Sequence, residues 1–170
     1  MGWLVKRKPV HLIVVSYPSA LDATLEDIAL RLASGAGPKR AVARAQTPAD
    51  LVFQVRRWHR RNRDVSRLDL IGHGAPGQFS LGDEVIFSED GLGDEVAHAL
   101  RPFLHPRARV RLLGCSLAPE PAQRRWVARL GQALGPEIEL QVPTRGLFVH
   151  DYGPEGLAPR ARSSLFTTRR

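Results

Sequence analysis

The chain has 170 residues, enough for one domain with an apolar core, and its 43% hydrophobic and 25% charged content is ordinary for a globular protein. Its single cysteine excludes an internal disulfide framework and a cysteine-based zinc site. The net charge of +8 permits nucleic acid, an acidic partner or an anionic membrane surface, but requires none of them. We therefore expect one domain over residues 1–170, with no metal and no cofactor.

The sequence contains no candidate membrane span or signal peptide. Its longest apolar run, from Val10 to Val15, is far too short to cross a membrane. The basic residues near the start are followed by no long apolar segment and no small-residue cleavage site. Together with the low cysteine content, this predicts a cytoplasmic protein.

The first half of the chain alternates strands and helices. Apolar runs predict a strand at residues 10–15 and a weaker one at 41–44. Between them, helical spacing predicts a helix that is capped by Ser19 and ended by the Gly-Ala-Gly-Pro of residues 35–38. Thr47 and Pro48 open a second helix. Its apolar face is Leu51, Val52, Val55 and Trp58, and its opposite face carries Arg56, Arg57, Arg60, Arg61 and Arg63.

The second half continues the alternation. Apolar runs predict buried strands at 68–71 and 110–113 and a partly exposed one at 138–142, while 78–81 and 84–87 predict a hairpin. Ser88 is expected to cap a helix over about 89–103 with Leu92 on its inner side, and a further helix begins at 119–121 and ends at Gly135. From residue 143 we expect loop, a short strand at 147–149 and a flexible basic tail over 150–170.

This order of elements predicts the fold class. Short connections between alternating strands and helices force mostly parallel pairing. We expect an α/β three-layer sandwich, a mostly parallel sheet with helices on both faces.

Two predicted strands end in a glycine followed by a reactive residue. Residues 68–71 lead into Gly72-His73-Gly74, and residues 110–113 lead into Gly114-Cys115. In parallel sheets, ligands bind beyond the carboxyl ends of the strands. The pattern therefore predicts that His73 and Cys115 lie near each other at one edge of the sheet.

A histidine beside a cysteine predicts nucleophilic catalysis. Imidazole titrates near neutral pH, so it can take the thiol proton and later protonate a leaving amine. The thiolate is the nucleophile. The backbone N–H groups of Gly74 and Cys115 are candidate donors to a developing oxyanion.

Two other motifs overlap His73 and are set aside. Gly72 to Gly77 fit the dinucleotide pattern G-x-G-x-x-G, but a strand-like segment follows where that motif needs a helix. The nucleophile elbow of α/β hydrolases needs a serine between its glycines, and this segment has none.

The His-Gly and Gly-Cys strand ends resemble those of the caspase, gingipain, legumain and metacaspase superfamily of cysteine peptidases. A closer resemblance is to a caspase-related bacterial domain found at the start of large surface adhesins. That domain has a His-Gly-x-Pro-Gly turn, a Leu-Gly pair soon after it, and a Gly-Cys strand end. Residues 67–87, 109–135 and 138–149 carry the resemblance.

The resemblance implies a caspase-like fold with His73 as general base or acid, Cys115 as nucleophile, and Gly74 with Cys115 as oxyanion donors. Caspases and metacaspases have a polar pocket residue two positions before the cysteine, where this chain has Leu113. The resemblance therefore makes Leu113 a weak substrate-binding candidate. Arg145 follows the last predicted strand, where caspases have a pocket arginine, and Asp151 is nearby. Either Arg145 or Asp151 is expected to select a charged substrate side chain.

Three functions stay open at this point. The first is a cysteine endopeptidase that acts on a peptide or protein substrate through a thioacyl intermediate. The second is a caspase-like module without catalysis, used for interaction or regulation. The third is an anion-binding or nucleic-acid-binding α/β domain that uses the arginines between residues 56 and 63.

Overall fold

The computed structural model describes residues 7–17, 23–37, 39–61 and 63–168. Its strands are β1 (Lys8–Ser16), β2 (Lys39–Ala45), β3 (Arg63–Ile71), β4 (His73–Ala75), β5 (Gln78–Leu81), β6 (Glu84–Ser88), β7 (Leu104–Leu113), β8 (Glu139–Pro143), β9 (Tyr152–Gly153), β10 (Gly156–Leu157) and β11 (Leu165–Thr167). Its helices are α1 (Ala23–Ala33), α2 (Pro48–Arg60), α3 (Asp94–Leu100), α4 (Arg124–Leu134) and α5 (Pro159–Arg162), with 3₁₀ turns at Arg101–Phe103 and Val149–Asp151.

A six-stranded sheet in the order β11-β8-β7-β3-β1-β2 forms the centre of the molecule. Strands β8, β7, β3, β1 and β2 run parallel, and β11 joins β8 antiparallel at one edge. A small antiparallel sheet of β4, β5 and β6 follows the carboxyl end of β3. The predicted α/β class with a mostly parallel sheet is confirmed.

Each face of the central sheet has its own apolar core, because residues of a strand point alternately to opposite sides. One core packs the sheet against α2, α3 and α4, with Leu51, Leu100 and Trp126 among its members. The other packs it against α1 and the segment 147–161, with Leu32 and Tyr152 among its members. Helices thus cover both faces, as a three-layer sandwich requires. None of the described helices has the length and apolar character of a membrane span.

Helix α2 begins as its sequence predicts. The Thr47 side chain accepts a hydrogen bond from the Asp50 N–H, while the Asp50 carboxylate accepts one from the Thr47 N–H, which completes a capping box. Leu51 and Val55 are buried on its inner face. The hairpin of β5 and β6 is also confirmed. The predicted cap at Ser19 lies outside the described residues.

The helix expected over 89–103 is shorter than predicted. Gly91 and Gly93 have φ of 101° and 94°, a left-handed conformation that delays the helix until Asp94. The Ser88 hydroxyl donates to the Asp90 carboxylate in the preceding turn, so it caps no helix. Leu92 lies in this turn and is 54% exposed, against the expectation that it faces the core. Similarly, α4 begins only at Arg124, after a turn at residues 121–123.

The C-terminal segment is the largest difference from the sequence expectation. Residues 147–149 form no strand, and the segment predicted as a tail contains the β9–β10 hairpin, α5 and β11. Strand β11 pairs with β8, so residues 165–167 belong to the central sheet. Arg63, assigned to the face of α2, instead begins β3.

Candidate active site

The predicted histidine and cysteine leave the same edge of the central sheet. Strands β3 and β7 are parallel neighbours, with Ile71 paired to Leu113 at their carboxyl ends. The Gly72 N–H lies 3.5 Å from the Leu113 carbonyl oxygen, so contact continues beyond the last paired residues. His73 and Cys115 are both exposed. The expectation that two neighbouring strand ends carry them is confirmed.

The backbone of Gly74 lies directly against the backbone of Gly114 and Cys115. A Cβ atom on Gly74 would lie 2.5 Å from both the nitrogen and the carbonyl oxygen of Cys115, and one on Gly114 would lie 3.0 Å from the Gly74 nitrogen. A side chain at position 74 would therefore overlap the Cys115 backbone, whereas one at position 114 would make a tight contact that its neighbours must relieve by a small shift. Contact between these two turns brings the segment of His73 to that of Cys115.

The turn at Cys115 has an unusual backbone and is held from a second side. Ser116 has a φ of 48°, the one described residue besides glycine in the left-handed region. Such conformations persist where surrounding structure enforces them, often at functional sites. Here the Ser116 N–H donates to the Arg145 carbonyl oxygen at 3.1 Å. The Cys115 Sγ lies 3.8 Å from the Leu147 carbonyl oxygen, so the side chain of Cys115 contacts the loop after β8 while its backbone contacts the His73 turn.

Leu113 does not line an open pocket. Its side chain is 1% exposed and packs in the core beneath α1. It packs at the end of the strand that leads to Cys115. Because its side chain has almost no accessible surface, it cannot take the weak substrate-binding role expected for it.

Arg145 and Asp151, expected as alternative selectors of a charged side chain, form an ion pair with each other. Asp151 is fully buried and its carboxylate accepts from the Phe148 N–H and from Arg160 Nε, both at 2.9 Å, with Arg145 Nη1 at 3.6 Å. Burial raises the pKa of Asp151, but these donors outweigh it and lower the pKa overall. Asp151 thus holds the loop in place, while Arg145 keeps a partly exposed side chain.

Asp69 takes part in a buried polar cluster that sequence reasoning largely missed. Its carboxylate accepts from Arg111 Nε at 2.6 Å and Nη2 at 2.5 Å, and contacts His11 Nε2 at 2.6 Å. Arg111 is therefore the arginine partner of Asp69. The available signal was an ionisable residue in the second position of each of three apolar runs, because charged groups that are buried in a core are usually paired.

Tyr152 is a second residue near the site that the sequence did not single out. It is 6% exposed and packs in the core of α1. Burial raises the pKa of its hydroxyl. Tyr152 therefore stays neutral beside the thiol at physiological pH.

The arginines of α2 lie on a different part of the molecule. Four of them are exposed: Arg56, Arg57, Arg60 and Arg61. Phe53, on the same helix surface, is 60% exposed. This surface carries charge and apolar area, and none of its residues belongs to the strand ends of His73 and Cys115.

Comparison with known proteins gives one family. The curated proteins contain no match to the chain. Residues 20–144 match the family model described as Domain of unknown function (DUF4347). The matched segment contains His73, Gly74, Leu113 and Cys115, and it ends one residue before Arg145. The chain therefore belongs to the DUF4347 family.

Proposed function

We propose that the protein is a cysteine endopeptidase in which Cys115 is the nucleophile and His73 the general base and acid. The observation that carries this proposal is the contact of the Gly74 backbone with the backbone of Cys115, next to two exposed side chains of complementary chemistry. The resemblance of these strand ends to those of caspase-like peptidases supports it.

In the proposed reaction, the His73 imidazole removes the proton from the Cys115 thiol. The thiolate attacks the carbonyl carbon of the peptide bond, and the backbone N–H groups of Gly74 and Cys115 stabilise the oxyanion. His73 then gives its proton to the leaving amine, which departs and leaves a thioester. Water, deprotonated by His73, hydrolyses the thioester and restores the thiol.

Several features of the site favour this chemistry. Cys115 is exposed, whereas a cysteine that serves only packing is typically buried. The contacts of Gly114 with Gly74 and of Ser116 with Arg145 fix the turn from two sides. A reacting group held by its surroundings loses less freedom when the substrate binds, which favours catalysis.

The test is the rate of alkylation of Cys115 by iodoacetamide as a function of pH, followed by mass spectrometry of the intact protein. Because the chain has one cysteine, the added mass reports on that residue alone. We expect a thiol that reacts well below its ordinary pKa of about 8.5, and a His73→Ala variant that reacts more slowly at neutral pH. The control is His98→Ala, which removes an exposed histidine of α3.

Peptide cleavage then completes the test. A library of unstructured peptides should be cleaved by the wild type and left intact by Cys115→Ala. A thiol that titrates near pH 8.5 with and without His73, together with no cleavage, would refute the proposal and leave the module without catalysis as the better account.

A further inference from the structure

A small, strongly basic pocket lies on the face of the central sheet that α1 and the C-terminal segment cover. We call it the sheet-face pocket, and its volume is about 220 Å³. Its lining consists of Arg67, Arg109, Arg111, Gln141, Glu155, Leu157, Arg162, Leu165 and Thr167. Four arginines thus surround a space with one carboxylate, Glu155, in its lining.

The sheet itself brings these side chains together in two rows. Arg67 of β3 is paired in register with Arg109 of β7, and Arg111 of β7 with Gln141 of β8 and then Thr167 of β11. Like charges directly opposite each other on neighbouring strands are destabilising. The pairing of Arg67 with Arg109 is therefore unfavourable unless negative charge lies close by.

The carboxylates of the protein supply only part of that charge. Arg111 is engaged by Asp69, and Arg109 donates from Nε to Glu139 Oε1 at 2.9 Å. Arg67 has weaker contacts with acidic groups. Its Nε is buried without a hydrogen-bond partner among the described residues, and it lies 3.8 Å from Asp69 Oδ1. Arg162 has no acidic partner in the described part of the chain.

The electrostatic environment of Arg67 also indicates that its positive charge is incompletely compensated. Burial, together with the positive charges of Arg111, Arg109 and Arg40, lowers the pKa of Arg67 to about 10, although the negative charge of Asp69 opposes the shift. An anion beside a partly buried cation with positive neighbours stabilises the charged form of that cation.

We propose that the sheet-face pocket binds a small multivalent oxyanion of the phosphate class, such as a diphosphate group. Guanidinium groups bind phosphate oxygens through paired, charge-assisted hydrogen bonds, and the Thr167 hydroxyl adds a neutral donor. The volume of about 220 Å³ is below the range of about 300 Å³ and above for drug-sized ligands, so the bound part of the ligand is small.

This site is distinct from the strand ends. Arg111 lies within β7 on the face of the sheet, whereas Cys115 lies in the turn that follows the strand. The proposal does not depend on the proposed peptidase activity, because none of the lining residues is part of the His73 and Cys115 turns.

The test is a calorimetric titration of the full chain with sodium pyrophosphate at constant ionic strength, repeated with ADP. We expect Arg162→Gln to weaken pyrophosphate binding about tenfold, because it removes one charged hydrogen-bond donor. Glu155→Gln should strengthen it severalfold, because it removes the carboxylate of the lining. The control is Arg57→Gln, which makes the same change in net charge on the exposed face of α2.

The outcomes separate a specific site from general attraction to a basic protein. No measurable binding of pyrophosphate or ADP, or equal weakening by Arg162→Gln and Arg57→Gln, would overturn the proposal. Tighter binding of ADP than of pyrophosphate, with the same sensitivity to Arg162→Gln, would support it and identify a phosphate ester as the ligand. Circular dichroism and the alkylation rate of Cys115 should be unchanged in all three variants.

Discussion

Gly74 lies close enough to Cys115 that any side chain at this position must displace one of the two strand ends. We expect Gly74→Ala to destabilise the protein by about 1–3 kcal/mol, the usual cost of inserting atoms into a packed region. The added methyl would meet backbone atoms at 2.5 Å, which cannot turn away as a flexible side chain can. Urea unfolding measures the loss, and alkylation of Cys115 measures the displacement of the thiol.

Gly153 offers a matched control for that substitution. A Cβ atom there has no neighbour within 4 Å, and its φ lies outside the left-handed region. We expect Gly153→Ala to change stability by less than about 0.5 kcal/mol. If Gly74→Ala unfolded at the same urea concentration as the wild type, this result would contradict the close contact between the His73 and Cys115 turns.

At the scale of single residues, the sequence predicted positions better than partners. Each glycine after an apolar run marked a strand end, so the proximity of His73 and Cys115 followed from local signals. The pairing of Asp151 with Arg160 and Arg145 did not, because it depends on the path of a loop through space. For the same reason, the approach of the Leu147 carbonyl to Cys115 had no sequence signal.

At the scale of elements, β11 ties the C-terminal segment into the central sheet. Its Phe166 packs against the main core, and the Arg124 guanidinium lies 5.4 Å from the centre of its ring. We expect Phe166→Ala to destabilise the protein by about 2 kcal/mol, since the ring is partly buried and also loses its cation–π contact. Thermal or urea unfolding measures this loss.

Phe148→Ala is the matched control, because it removes the same side chain from a position that is 60% exposed. Its effect on stability should stay within about 0.5 kcal/mol. Equal stability of Phe166→Ala and the wild type would show that β11 adds nothing to the fold and that the segment behaves as the tail that its composition suggests.

The strands and helices with strong periodicity were predictable, and the rest were decided by backbone conformation or tertiary pairing. Helix α2 carried its cap, its N1 proline and its apolar face in consecutive residues. The late start of α3 depends instead on the left-handed conformation of Gly91 and Gly93. Strand β11 has three residues and gains its pairing only from the edge of β8, so local pattern could not identify it.

At the scale of the whole molecule, one buried charge cluster joins the three central strands. His11 of β1, Asp69 of β3 and Arg111 of β7 meet on the face covered by α1, and each side chain is almost fully buried. Breaking such a pair leaves a buried charge without compensation, which costs about 3–5 kcal/mol. We expect Asp69→Asn to destabilise the protein by this amount at neutral pH.

The same cluster makes the stability of the fold depend on pH in a defined direction. Burial raises the pKa of Asp69, but the charge and hydrogen bonds of Arg111, with those of His11, outweigh it and hold the pKa well below its ordinary value. A carboxyl group with a lowered pKa in the fold stabilises it above the unfolded pKa of about 4, and this contribution fades as the pH falls further. The difference in unfolding free energy between the wild type and Asp69→Asn should therefore be constant near neutral pH and narrow below about pH 4.

Urea unfolding at a series of pH values tests this expectation, with Asp83→Asn as the control because Asp83 is an exposed carboxylate in the turn between β5 and β6. That variant should follow the wild type throughout. A gap between the wild type and Asp69→Asn that stays the same down to acid pH would contradict the ionised state assigned to Asp69.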